Sequence, residues 1–136
     1  MADAPLPTSL EALVELARRA RENAYAPYSG FRVGAALETE TGAVFSGANV
    51  ENASYGATLC AERAAVAGMI AGGGRAIRRV AVYAEGPNLA MPCGMCRQVL
   101  AEFGLGAEVI VAGTAGRRTT TLSALLPEPF VFEGPR

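Results

Sequence analysis

Three cysteines stand in two short clusters: Cys60 in "CAER", and Cys93 and Cys96 in "PCGMC". No histidine occurs anywhere in the 136 residues. Each cluster lies where helical patterning begins. A fold that uses the thiols together therefore has to bring two helix starts, distant in sequence, to one point. Taken alone, Cys93 and Cys96 are ambiguous: a redox pair, half a zinc knuckle, or two core thiols. A structural zinc normally takes four protein ligands, and here only three thiols exist with no histidine to complete the set. Three protein ligands leave one position open, which is the arrangement of a catalytic zinc. Helix N-termini favour thiolate over thiol, and Pro92 suits a helix boundary. Without histidine, serine–histidine and cysteine–histidine mechanisms are excluded.

A zinc ion with three thiolates carries a net charge of −1, which weakens its activation of water. Arg63 is the candidate to offset it, by donating hydrogen bonds to a thiolate sulfur. The alternative is a plain surface arginine. Glu62 is the candidate proton carrier. Residues two apart in a regular helix point nearly opposite ways. Glu62 can therefore serve a site at Cys60 only if Cys60 sits at the very start of the helix.

The rest of the chain predicts an α/β domain over residues 1–136. Thr8 and Glu11 form a T-x-x-E capping pattern, followed by Leu10, Leu13, Val14, Ala17 and Ala20 at helical spacing. Pro27 and Gly30 break that helix. A β-hairpin follows, with strands over about 32–38 and 43–50 and a turn at Glu40-Thr41-Gly42. A helix from Cys60 ends at the glycine run 72–74. A buried strand over 78–85, a helix over 93–103, strands in "AEVIVAG" and "RTTTL", and a brief turn capped by Ser123 complete the order. The last residues read as an extended tail. This alternation predicts a three-layer α-β-α sandwich on a mixed sheet.

Composition narrows the function. The formal net charge is −1, and the Arg75/Arg78/Arg79 and Arg117/Arg118 groups read as solvated surface. A nucleic-acid or anionic-membrane partner is not expected. The first ten residues lack a basic start and an apolar run, so no signal peptide is expected. The apolar stretch from Ala64 to Gly74 is far short of the roughly 20 residues that span a bilayer. A soluble, cytoplasmic protein is the expectation, and three cysteines suit a disulfide framework poorly.

"YAPYSGFRVGAAL" at 25–37, "GANVENASYG" at 47–56, "CAER" at 60–63, "PCGMCRQVLAEF" at 92–103 and "LLPEPF" at 125–130 together resemble the small homotetrameric cytidine deaminases. The two cysteine motifs match the zinc-deaminase signature in its three-cysteine form. The resemblance covers nearly the whole chain. It implies a five-stranded cytidine deaminase-like sheet and one zinc ion per subunit, held by Cys60, Cys93 and Cys96, with Glu62 shuttling protons. It further implies that Asn49 and Glu51 hold the sugar hydroxyls. Residues i and i+2 near a strand end share a face, which independently favours that pair. Phe31 resembles the aromatic that packs on the pyrimidine, although core packing would explain it equally. Ala61 resembles the backbone contact to the base. Tyr55 and Phe130 resemble positions that reach a neighbouring subunit's site, and Gln98 one that supports the site from behind. The implied reaction is hydrolytic deamination of cytidine and deoxycytidine in pyrimidine salvage, with a homotetramer as the working form. The rivals are a deaminase of the same fold acting on another amino-heterocycle (blasticidin S deaminase-like), a non-catalytic zinc-stabilised module, and a redox protein.

Overall fold

A computed structural model of the protein describes residues 8–134. The expectation of no signal peptide rests largely on residues 1–7, which lie outside that range. Helix α1 (Leu10–Glu22) is capped by Ser9, whose hydroxyl accepts the Ala12 N–H at 3.1 Å. The Thr8–Glu11 capping pair is therefore displaced by one residue. Thr8 has another task. Its N–H donates to Glu38 Oε2 at 2.8 Å, and its carbonyl accepts from the Arg79 guanidinium.

The hairpin consists of β1 (Val33–Thr39) and β2 (Val44–Ala48). A single 3₁₀ turn at Tyr55–Ala57 leads to α2 (Ala61–Ala71). Then come β3 (Ile77–Ala84), α3 (Gly94–Gly104), β4 (Glu108–Gly113), β5 (Gly116–Thr121) and α4 (Leu122–Leu125). The cap of α4 is Thr121, which accepts the Ala124 N–H at 3.2 Å, and not Ser123 as its sequence position suggested.

The sheet order is β2-β1-β3-β4-β5. Only β3 and β4 pair in parallel; the other neighbours are antiparallel. Alternate residues of the central strands serve opposite faces. Ala35, Leu37, Val80, Val82, Val109 and Val111 pack against α2 and α3. Ala36, Ala81, Ile110 and Ala112 pack against Leu13, Val14 and Ala17 of α1. Both faces are covered, so the architecture is the expected three-layer sandwich with a mixed five-stranded sheet. Among the described residues no helix is long and apolar enough to cross a membrane.

This topology positions the site. Strands β2 and β3 both run antiparallel to β1, so they point the same way, and β4 is parallel to β3. Helix α2 connects β2 to β3, and α3 connects β3 to β4. Each returns against its strands, so both helices begin beyond the carboxyl ends of β2 and β3. In open α/β sheets that is where ligands bind. Close approach of α2 to β2 depends on Gly47. A side chain there would sit 2.5 Å from the Ala65 nitrogen and 2.7 Å from the Ala61 carbonyl oxygen. No real Cβ tolerates such contacts, so a side chain at 47 would push the start of α2 away.

Candidate active site

Cys60 and Cys93 are the N-caps of α2 and α3, with extended backbones (φ −73°, ψ 154° and φ −68°, ψ 167°). Cys96 lies one turn into α3 and is fully buried. Their three sulfurs lie within 4.8 Å of one another. Two helix N-termini thus converge on a thiol cluster, and their exposed N–H groups favour negative charge there. Cys93 Sγ accepts the Cys96 N–H at 3.5 Å. Burial pushes the Cys93 thiol up, but hydrogen bonds from its neighbours win and leave it below its ordinary value. Cys96 moves the other way, raised by burial and by the nearby Glu62 carboxylate.

Three sulfur donors so close together suit a soft tetrahedral cation that displaces their protons. Arg63 brings a positive charge to the cluster. Its guanidinium donates to Cys60 Sγ at 3.5 Å and to the Thr58 carbonyl at 3.3 Å. Its Nε is buried with no partner, on the side chain that already faces the sulfurs. A buried cationic donor left over beside three thiols fits a site whose loaded form is anionic. These residues therefore fit a zinc ion.

The cluster opens into a cleft of about 200 Å³ lined mainly by Phe31, Val33, Asn49, Cys60, Glu62 and Cys93, with Ala61 contributing the first turn of α2. Glu62 is only 5% exposed. Burial raises its carboxyl above the usual range, so it holds a proton more readily than a surface glutamate. The geometric condition on Glu62 is met: Cys60 precedes the helix, and the helical backbone begins at Ala61. Thiol and carboxyl therefore reach one cleft from positions two apart.

Asn49 reaches the cleft, buried, with both ends of its amide engaged. Its Oδ1 accepts the Val33 N–H at 2.9 Å, and its Nδ2 donates to the Phe31 carbonyl at 2.8 Å. Glu51 lies apart from it. Its carboxylate accepts the Tyr28 and Ser29 N–H groups and the Ser29 hydroxyl, which hold it below the usual carboxylate range. It lines an outer recess with Tyr28, Ser29 and Tyr55, which meets the inner cleft at Thr58. β2 ends at Ala48, and Val50 bridges to Tyr25 and Leu59. Asn49 and Glu51 flank a residue bridged on both sides, and their side chains take different partners.

Phe31 walls the cleft while remaining 47% exposed, so it is not a core residue. Tyr55 is 75% exposed and meets Tyr28 edge to face, with ring centroids 5.9 Å apart. The Phe130 ring is 74% exposed and lies in a groove with Leu105 and Phe132, outside the cleft. Gln98 does not face the thiols. Its side-chain amide donates to the Phe130 carbonyl at 2.9 Å and accepts the Phe130 N–H at 3.0 Å, so it fastens the tail. The sequence reading missed Val33, Thr58, Ala90 and Met91 in the cleft wall. These are ordinary apolar or small residues that carry no chemical signal in sequence. It also missed Arg97. That side chain donates to the carbonyls of Pro92 at 2.8 Å and Leu125 at 2.9 Å, tying the Cys93 turn to α4.

Residues 7–113 match the family model described as the cytidine and deoxycytidylate deaminase zinc-binding region. The chain is similar to a crystal structure of cytidine deaminase from Burkholderia pseudomallei, with 47% identity and a TM-score of 0.86 over 90% of this chain and 100% of that one. It is 46% identical over 123 residues to a cytidine deaminase from Halalkalibacterium halodurans, covering 89% of this chain and 93% of the relative. A cytidine deaminase from Sporosarcina psychrophila is 43% identical over 126 residues, covering 91% and 93%.

Proposed function

The chain belongs to the cytidine and deoxycytidylate deaminase family, and on that premise we propose that it hydrolyses cytidine and 2′-deoxycytidine to uridine and 2′-deoxyuridine with release of ammonia. The observation that carries this reading is a buried glutamate, Glu62, facing the same cleft as three clustered thiols. Neither a redox pair nor a purely structural metal centre calls for that carboxyl.

Cys60, Cys93 and Cys96 would hold zinc, which when bound supplies Lewis-acid activation of the attacking water. Glu62 takes a proton from the attacking water and delivers it to N3 of the pyrimidine; it then takes a second proton from the hydroxyl now on C4 and passes it to the departing amine, leaving the C4 carbonyl. Its raised proton affinity suits a group that must both accept and return a proton. Arg63 offsets the negative charge of the thiolates. Phe31 packs against the base, and Ala61 presents its backbone to it. Asn49 and Glu51 hold the sugar. The apolar walls at Val33 and Met91 keep bulk water from the ring. The working form is a homotetramer in which Tyr55 and Phe130 complete neighbouring sites, and the enzyme acts in the cytoplasm on free nucleosides. Support for assembly comes from the large rings left in solvent, Tyr55, Phe130 and Phe132 among them.

The test follows the ultraviolet absorbance of cytidine with purified protein, in parallel with zinc per chain. Loss of cytidine with about one zinc per subunit is the expected result. Zinc without turnover would keep the centre but move the substrate to another amino-heterocycle. Neither zinc nor turnover after metal reconstitution would remove the reading.

A further inference from the structure

We propose that Ser29 is a positioning residue that sets the distance between the wall for the base and the carboxylate for the sugar. It rests on the deaminase reading above and goes beyond it. The Ser29 hydroxyl has two partners at once. It accepts the Phe31 N–H at 2.9 Å and donates its only proton to Glu51 Oε2. The turn around it brings two more donors to the same carboxylate, the N–H groups of Tyr28 at 2.9 Å and Ser29 at 3.1 Å. The turn itself is closed by the Gly30 N–H on the Ala26 carbonyl at 2.9 Å.

Phe31 is gripped from its other side by Asn49, whose amide takes the Phe31 carbonyl at 2.8 Å. The backbone of Phe31 is therefore fixed at its N–H by Ser29 and at its C=O by Asn49. The group that fixes the N–H also anchors Glu51. One hydroxyl links the inner cleft to the outer recess. A carboxylate has about four acceptor sites, so three bonds from the turn leave roughly one for a substrate hydroxyl. Glu51 is held ionised and aimed before the sugar arrives. Hydrogen bonds to an ionised acceptor are the stronger kind, which is why removing one donor should be measurable.

Ser29 is exposed on a surface turn, so an alanine there disturbs no core. Ser29→Ala and Ser29→Thr are compared with the wild-type chain on cytidine, with uridine and 2′,3′-dideoxyuridine as competitive inhibitors and zinc measured throughout. Ser29→Ala should raise KM for cytidine by about tenfold, the scale of one hydrogen bond to a charged group, while kcat and zinc stay near wild type. The inhibition constant of uridine should rise in step, and that of 2′,3′-dideoxyuridine, which lacks the 2′- and 3′-hydroxyls that Glu51 would hold, should barely move. Ser29→Thr keeps the hydroxyl and should restore KM. An unchanged KM, or equal weakening of both inhibitors, would overturn the assignment. Failure of the deaminase reading appears differently, as absence of cytidine turnover in the wild-type chain itself.

Discussion

At the start of α2 the extended backbone of Cys60 gives way to helix at Ala61, so Glu62 lies in the first turn with its carboxyl in the cleft. Two side chains with different tasks can share that short segment only there. Glu62→Ala should therefore keep about one zinc per chain and lose turnover by at least two to four orders of magnitude, the range of general acid–base catalysis. Near-normal turnover with zinc retained would remove Glu62 from the chemistry. Cys93→Ala should instead lose zinc and activity together, because two sulfurs cannot hold the ion firmly. Metal analysis of the two variants separates proton carrier from ligand. Glu62 and Arg63 were legible in sequence because their relation to Cys60 is local, and the thiols because only three exist and each cluster opens a helix. The sugar pair was harder. Asn49 and Glu51 stand two apart across the bridged Val50, but their side-chain partners, Phe31 and Val33 for one and the turn at Tyr28 and Ser29 for the other, leave no trace in that spacing. Gln98, one residue past Arg97, looks like support for the metal turn. Its partners, however, come from Phe130, and a bond across that span leaves no trace in local spacing.

Among the elements, β1 and β3 are joined to α1 by a buried ion pair. Glu38 and Arg79 are cross-strand partners in the antiparallel register, and Arg79 Nη2 lies 2.9 Å from Glu38 Oε1. Glu38 is fully buried and also accepts the Thr8 N–H, so the start of α1 hangs on this carboxylate. Burial alone would raise the Glu38 carboxyl, but the Arg79 and Thr8 hydrogen bonds hold it below its ordinary value. A depressed carboxyl contributes stability above its unfolded value and loses it as pH falls through the folded one. Arg79→Met leaves the carboxylate buried without its cation and should cost about 3 kcal/mol at neutral pH. The gap from wild type should be smaller at an acid pH below Glu38's depressed folded value, where the carboxyl takes up a proton and the pair no longer contributes. Urea unfolding at the two pH values measures it; a gap that stays constant would mean the pair is electrostatically idle. The same contact explains the displaced cap of α1. Periodicity marked the helix, but with Thr8 drawn to Glu38 and Arg79, Ser9 became the cap. At α4, Thr121 likewise ends β5 and caps the helix, which a search for the nearest serine does not reveal.

For the whole molecule, the alternation of strands and helices was enough to predict the layers, because covering both faces of a sheet leaves few arrangements. The surface around the site was not legible, because exposure of an aromatic follows from the whole packing and not from its neighbours in sequence. Phe130, Val131 and Phe132 are consecutive and largely in solvent, while Gln98 bonds the Phe130 backbone to α3 on both sides. A tail fixed so firmly, with its rings turned outward, presents an ordered apolar surface, and a monomer gains nothing by that. Another copy of the chain is the partner that the homotetramer proposal supplies. Light scattering should then give about four times the 14.0 kDa chain mass. Phe130→Ala removes a ring that buries little within its own chain, so folding and zinc content should be close to wild type. Activity should fall, and the assembly should weaken on dilution, because the loss is felt in the neighbouring subunit. A wild-type monomer with full turnover would sink the assembly proposal and return Phe130 to an ordinary surface residue. A Phe130→Ala tetramer of normal activity would keep the assembly and remove only the claim that this ring completes a neighbouring site.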